Sequence, residues 1–232
     1  MKKAIVLALA LTLLSASALY AHDAWIAKDK GVLTVTYGHG TKTEPYNPAK
    51  VKSVKAFNTA GKVIPITVKT QDGKAILAPA KAPALVMMFF DSGPWVQTPE
   101  GYKNVSKREA KNVIKSLKSQ KYCKGIWHWS NRLSKPMGGK MELVPLKNPL
   151  ALKPGDKLPF LVLYAGKPLA GAAVAAEGVK KGALKTDSQG RAEIVIKKKG
   201  LNLVGATRKT NTPKDPDADV LYESANLAFE VK

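Results

Sequence analysis

Apolar and polar positions alternate in short runs along most of the chain, with the two-residue period of strands. Leu33, Val35 and Tyr37 alternate with Thr34 and Thr36, which is the pattern of a half-buried strand. The runs VKSVKAF, VIPITV and ALVMMFF follow, separated by TAGK, TQDGK and PAKAP, whose Asn, Asp, Gly and Pro neighbours are turn formers. ALVMMFF has no polar member, so it predicts a strand buried on both faces. DSGPWVQTPEGY reads as a Gly/Pro loop carrying Trp95 and Tyr102. One segment departs from the strand period. Ser106 and Glu109 have capping-box spacing, and Ala110, Val113, Ile114 and Leu117 fall on one helical stripe. They predict a helix of roughly three to four turns facing a sheet. In YCKGIWHWSNRL, an extended chain would put Ile126 and His128 on one face and Trp127 and Trp129 on the other.

The prolines and glycine of Pro145 to Pro154 mark a boundary. Beyond it KLPFLVLYA, AAVAAEG, ALKT, RAEIVIK, LNLVGATR and SANLAFEV read as strands, recurring about every 10 residues, as in an antiparallel immunoglobulin-like sandwich. Asp187-Ser188-Gln189-Gly190 predicts a type I hairpin turn. The expected fold class is mainly β. Residues 22–144 form a β-rich N-terminal domain with one short helix, and residues 145–232 form the C-terminal sandwich.

The chain opens differently. Lys2 and Lys3 precede an apolar run from Ala4 to Leu14, broken by Thr12, and a small-residue region from Ser15 to Ala21. This is the layout of a secretory signal peptide over residues 1–21. The run is shorter than the roughly 20 residues of a membrane span. Two cleavage sites stay open. Cutting after Ala18 fits the small-x-small rule better, and cutting after Ala21 leaves His22 as the first residue. Removing 21 of the 232 residues leaves 211, enough for one large or two small domains.

Charge and cysteine content narrow the class. The formal net charge is +21, or +19 without Lys2 and Lys3, and only Arg108, Arg132, Arg191 and Arg208 are arginines. Lysine is a hydrated point charge and reads bases and phosphates poorly. With export, that argues against nucleic acid and for a solvated face that favours anionic surfaces. A lone cysteine, Cys123, cannot form an internal disulfide, so the expected compartment is a bacterial periplasm.

Candidate chemistry is sparse. The chain lacks CxxC, HExxH, GxSxG and P-loop motifs and a recognisable carboxylate pair, so no enzymatic activity is expected. There are three histidines, His22, His39 and His128, all before residue 145. A processed N-terminal His22 would offer an α-amine and an imidazole, both easily deprotonated near neutral pH. That nitrogen pair suits Ni(II), Co(II) or Cu(II), and Asp23 beside it offers an oxygen. His39 stands between two glycines at a strand end, where it can point into a cleft, and His128 stands between two tryptophans. Each alone also reads as an ordinary exposed or packed histidine. Spacing does not show that the three converge. Trp95, Trp127 and Trp129 also read as buried aromatics or as a sugar-stacking platform.

AHDAWI after the leader, then YGHG, ELVPLKNP, PGD, LYAGKPLAGAAV and TDSQGRAEI resemble, in that order, a bacterial periplasmic domain-of-unknown-function family described as a nickel-uptake or cobalt/nickel transport component. The resemblance covers most of residues 21–231. Its second half is also similar to transthyretin-like sandwiches. The resemblance implies metal delivery, a mature chain starting at His22, and ligand positions at His22 and His39. His128 is added because histidine is scarce. The expected function is a periplasmic binding protein for nickel or cobalt, with copper as a further ion, served by His22, His39, His128 and Asp23 and partnered by an inner-membrane metal transporter. The alternative is a β-domain module that binds a protein or glycan. A copper oxidase with a histidine brace is a third reading that no further oxidase signature supports.

Overall fold

In the computed structural model, residues 22–39, 42–180 and 182–232 are described; the expected leader, residues 1–21, lies outside them. The N-terminal strands are β1 (Asp23–Asp29), β2 (Val32–His39), β3 (Lys42–Thr43), β4 (Val51–Phe57), β5 (Val63–Ile64), β6 (Ile66–Gln71) and β7 (Lys74–Pro79). The middle of the chain supplies β8 (Leu85–Thr98), β9 (Gly101–Lys103), β10 (Lys115–Ile126) and β11 (Met141–Pro145). The remainder forms β12 (Lys157–Tyr164), β13 (Lys167–Pro168), β14 (Ala173–Ala175), β15 (Arg191–Val195), β16 (Gly200–Asn211) and β17 (Val220–Val231).

The strands make three sheets. The first runs β1-β2-β7-β6, with β3 on β2. The central sheet runs β14-β16-β17-β10-β8-β4-β5, with β9 on β8, and so takes strands from both sides of residue 145. The third runs β11-β12-β13, with β15 on β12. Pairing is antiparallel except between β10 and β17.

Alternation places two cores on the two faces of the central sheet. Val86, Met88, Phe90 and Cys123 pack with Ala24, Ile26, Val35 and Leu77 of the first sheet. Leu85, Ile126, Leu227 and Phe229 pack with Leu143, Leu158, Phe160 and Val162 of the third. The result is a mainly β, sandwich-like stack. The apolar ALVMMFF run, apart from Ala84, opens β8, between β10 and β4, as a strand covered on both faces requires. The expected hairpin turn is present: Gly190 donates to the Asp187 carbonyl at 3.0 Å, and the Asp187 carboxylate accepts from Gln189 and Arg191 amides. Gly190 has φ +73°, and a Cβ there would press on the Val162 carbonyl oxygen and Leu169 amide.

Three local expectations are corrected. The helix after Ser106 is one 3-10 turn, Lys107–Glu109. Its start signal is real, since Glu109 accepts from the Ser106 amide at 3.1 Å. The chain then turns through Asn112 at φ +53°, and Ile114 donates to Gln97 O at 2.8 Å, entering the ladder with β8. Ile114 is 57% exposed, so the apolar stripe has no helix face to bury. A long strand between β8 and β17 gains more backbone pairing and burial than an amphipathic helix at the edge. The DSGPWVQTPEGY segment is not a loop, because β8 continues to Thr98 and turns back through β9. The extended reading of residues 127–130 also fails, since β10 ends at Ile126 and His128 lies beyond it.

Candidate functional site

The β1–β2 ladder fixes one end of the first sheet. Asp23 pairs with Gly38 and Asp29 with Val32, so His22 arrives beside the end of β2, where His39 stands. Their ring centroids are 4.3 Å apart and tilted by 32°. The Tyr37 ring stacks on His22 at 5.0 Å and 10°, and Phe90 stacks on Tyr37 at 5.5 Å, tying the corner to the core. On the other side of β2, β3 pairs Gly38 with Thr43, and the Glu44 amide donates to the Tyr37 carbonyl. Glu44 then meets His22 Nε2 at 2.6 Å. Gly38 is required for this approach: its φ is +149° and a Cβ would overlap the Lys42 carbonyl oxygen.

Electrostatics under the corner are unusual. Lys121 of β10 is 2% exposed and donates to the Ser119 hydroxyl at 2.9 Å. Burial pushes its ammonium down to about 8, against the attraction of Asp23. Burial pushes the Asp23 carboxyl up, and Lys121, His39 and His22 pull it back down. Burial and the neighbouring His22 hold the His39 imidazole below its ordinary value, against the pull of Asp23 and Glu44. Cys123 donates to the Ala24 carbonyl at 2.8 Å, and burial pushes its thiol up, which leaves it a packing group.

Two of the four expected site residues, His22 and His39, meet here, and Asp23 lies near enough to feel the charge of both. His128 does not. It is exposed, past the end of β10, with its amide on Ala84 O at 3.3 Å. About 16 Å of strand separate Lys121 from Ile126 at 3.3 Å per residue. Among the described residues no group of three or more His, Cys, Asp or Glu side chains is arranged to hold a metal ion. The corner thus brings two imidazoles together, with the Glu44 carboxylate on one of them. His22 Nε2 is directed at Glu44, which leaves Nδ1 as the ring's other nitrogen. Trp95 pairs opposite Leu117 near one end of the β8–β10 ladder, and Trp127 follows the other end, so the tryptophans form no single platform.

Glu44, Tyr37 and Lys121 were not legible as site residues. The Tyr37–Glu44 hairpin could have been suspected from YGHGTKTE, where the glycines permit the return strand. Lys121 carries no local signal among so many lysines.

The profile of a family described as "Domain of unknown function (DUF4198)" matches residues 19–210. An uncharacterized protein of Haemophilus influenzae is 33% identical over 225 residues, covering 95% of both chains. The D0-D1 domain of intimin aligns with 90% of this chain and 97% of its own, at 16% identity and a TM-score of 0.24.

Proposed function

From the premise that this chain belongs to the DUF4198 family, we propose that it is a periplasmic binding protein for a divalent transition metal, nickel or cobalt, which it holds for an inner-membrane transporter. The observation that carries the reading is the pairing of the His22 and His39 rings, 4.3 Å apart, with Glu44 on His22 Nε2. A carboxylate on the far nitrogen fixes the tautomer and orientation of a ligating imidazole. With the leader cut after Ala21, the His22 α-amine joins its own Nδ1 as a chelating pair. The donor set is then one amine and two imidazoles, with the Asp23 carboxyl beside them. Such nitrogen sets suit Ni(II) and Co(II), and bind Cu(II) more tightly still. Burial and His22 lower the His39 value, which favours the neutral ring a metal needs.

Export supports the same reading. Residues 1–21 have the layout of a signal peptide, and no helix among the described residues is long and apolar enough to cross a membrane. The +19 charge of the chain without its leader favours residence near an anionic membrane face, where a transporter would receive the ion. Calorimetry with Ni(II) on a chain starting at His22 should give one site. A chain starting at Leu19, with the amine displaced, should bind about 100-fold more weakly. Equal binding by the two chains would remove the chelate from the account.

A further inference from the structure

A cavity lies on the face of the central sheet opposite the His22–His39 corner. The cavity holds about 430 Å³, between β8 and β10 and the segment Met137–Leu143. Small-molecule sites run from about 300 to 1,000 Å³. We propose that it binds a small organic anion with an aromatic body, an aromatic carboxylate being the simplest member of that class.

The aromatic part follows from the walls. Phe89 and Tyr122 are stacked at 5.1 Å and 14°, half-buried, and line the space. Met87 and Met137 line it too, and both are half-buried. Thioethers adapt to flat ligands and contact aromatic edges favourably. Gly139 holds that wall close, since a Cβ there would stand 2.8 Å from the Met87 methyl.

The anionic part follows from charge. The lining holds Lys55, Lys124 and Lys140 against one carboxylate, Glu142. Glu142 is saturated by the Lys124 ammonium at 2.6 Å and by the amides of Met137, Gly138 and Gly139. Lys140 lies 5.9 Å from the Tyr122 ring centre, half-exposed, and is ion-paired to Glu223 at 2.8 Å. Lys55 stands exposed on β4 with no ion pair among the described residues. Lys124 and Lys140 are paired with Glu142 and Glu223, so Lys55 is the ammonium left at the rim of the apolar slot, and it matches a ring that carries one carboxylate.

The test uses the exported chain with ¹³C-methyl methionine, its signals assigned through Met87→Leu and Met137→Leu. Benzoate should shift the Met87 and Met137 signals saturably, and the uncharged isostere benzamide should bind about tenfold more weakly. Lys55→Gln, at an exposed position, should weaken benzoate several-fold, and His22→Ala should leave the response intact, so this test does not depend on the metal reading. No saturable shift with millimolar benzoate, or equal affinity for benzoate and benzamide, overturns the proposal.

Discussion

Replacing Glu142 with leucine should be among the most destabilising single changes in this chain. The Glu142 carboxylate is 2% exposed and meets the equally buried Lys124 ammonium at 2.6 Å. It also accepts from the amides of Met137, Gly138 and Gly139 at 2.8–3.1 Å. Leucine fills the volume but leaves a buried ammonium without a counter-charge and three amides without an acceptor. Breaking one side of a buried pair costs about 3–5 kcal/mol. That is a large share of the ~5–15 kcal/mol that holds a domain folded. Lys124→Met should cost less, because the carboxylate keeps its three amide donors. The double variant should be more stable than Glu142→Leu alone, with a coupling of about 1–3 kcal/mol. Urea denaturation followed by tryptophan fluorescence at pH 7 gives all four corners of the cycle. A Glu142→Leu cost under about 1 kcal/mol, or a Lys124→Met cost equal to it, would refute the reasoning.

Other expectations follow from single contacts. Lys121 has a folded value near 8 against 10.5 unfolded, so the unfolded chain binds more protons between those values and stability rises with pH through that window. The rise should total roughly 3 kcal/mol, and Lys121→Met should abolish it in denaturation curves taken from pH 7 to 10.5. Gly38→Ala should displace β3 from β2 and carry Glu44 off His22, visible as loss of the Glu44–His22 contact in imidazole NMR shifts; an unchanged His22 signal would show that the hairpin tolerates the methyl. Glu44→Gln should weaken Ni(II) binding by about 10–100-fold without unfolding the chain, measured by calorimetry alongside circular dichroism. His128→Ala should leave Ni(II) affinity unchanged, and a loss at that position would place it back in the site.

The strands were legible where burial alternates in the local sequence. Leu33, Val35 and Tyr37 all face the first core, and the apolar ALVMMFF run sits at the centre of the main sheet. Residues 106–117 were not legible, because both helix and strand readings satisfy their local pattern. The partner strands β8 and β17, from distant parts of the chain, decide between them. The same holds for the site. His22 and His39 stood out by type, but their meeting depends on the β1–β2 register. Lys121 belongs to a chain with dozens of lysines, and it is buried because β10 is a central strand with β1 packed on it. His128 seemed equivalent to the other two histidines because spacing carries no information about which end of a strand a residue occupies.

The central claim rests on His22 as an N-terminal ligand. Native mass spectrometry of the protein recovered from fractionated cells, with and without added Ni(II), reads the cleavage site, the compartment and the bound ion together. The account predicts a chain beginning at His22 that retains one metal ion, with the ion lost in His22→Ala and in His39→Ala. A chain that begins elsewhere, or an ion that stays after either substitution, would contradict it.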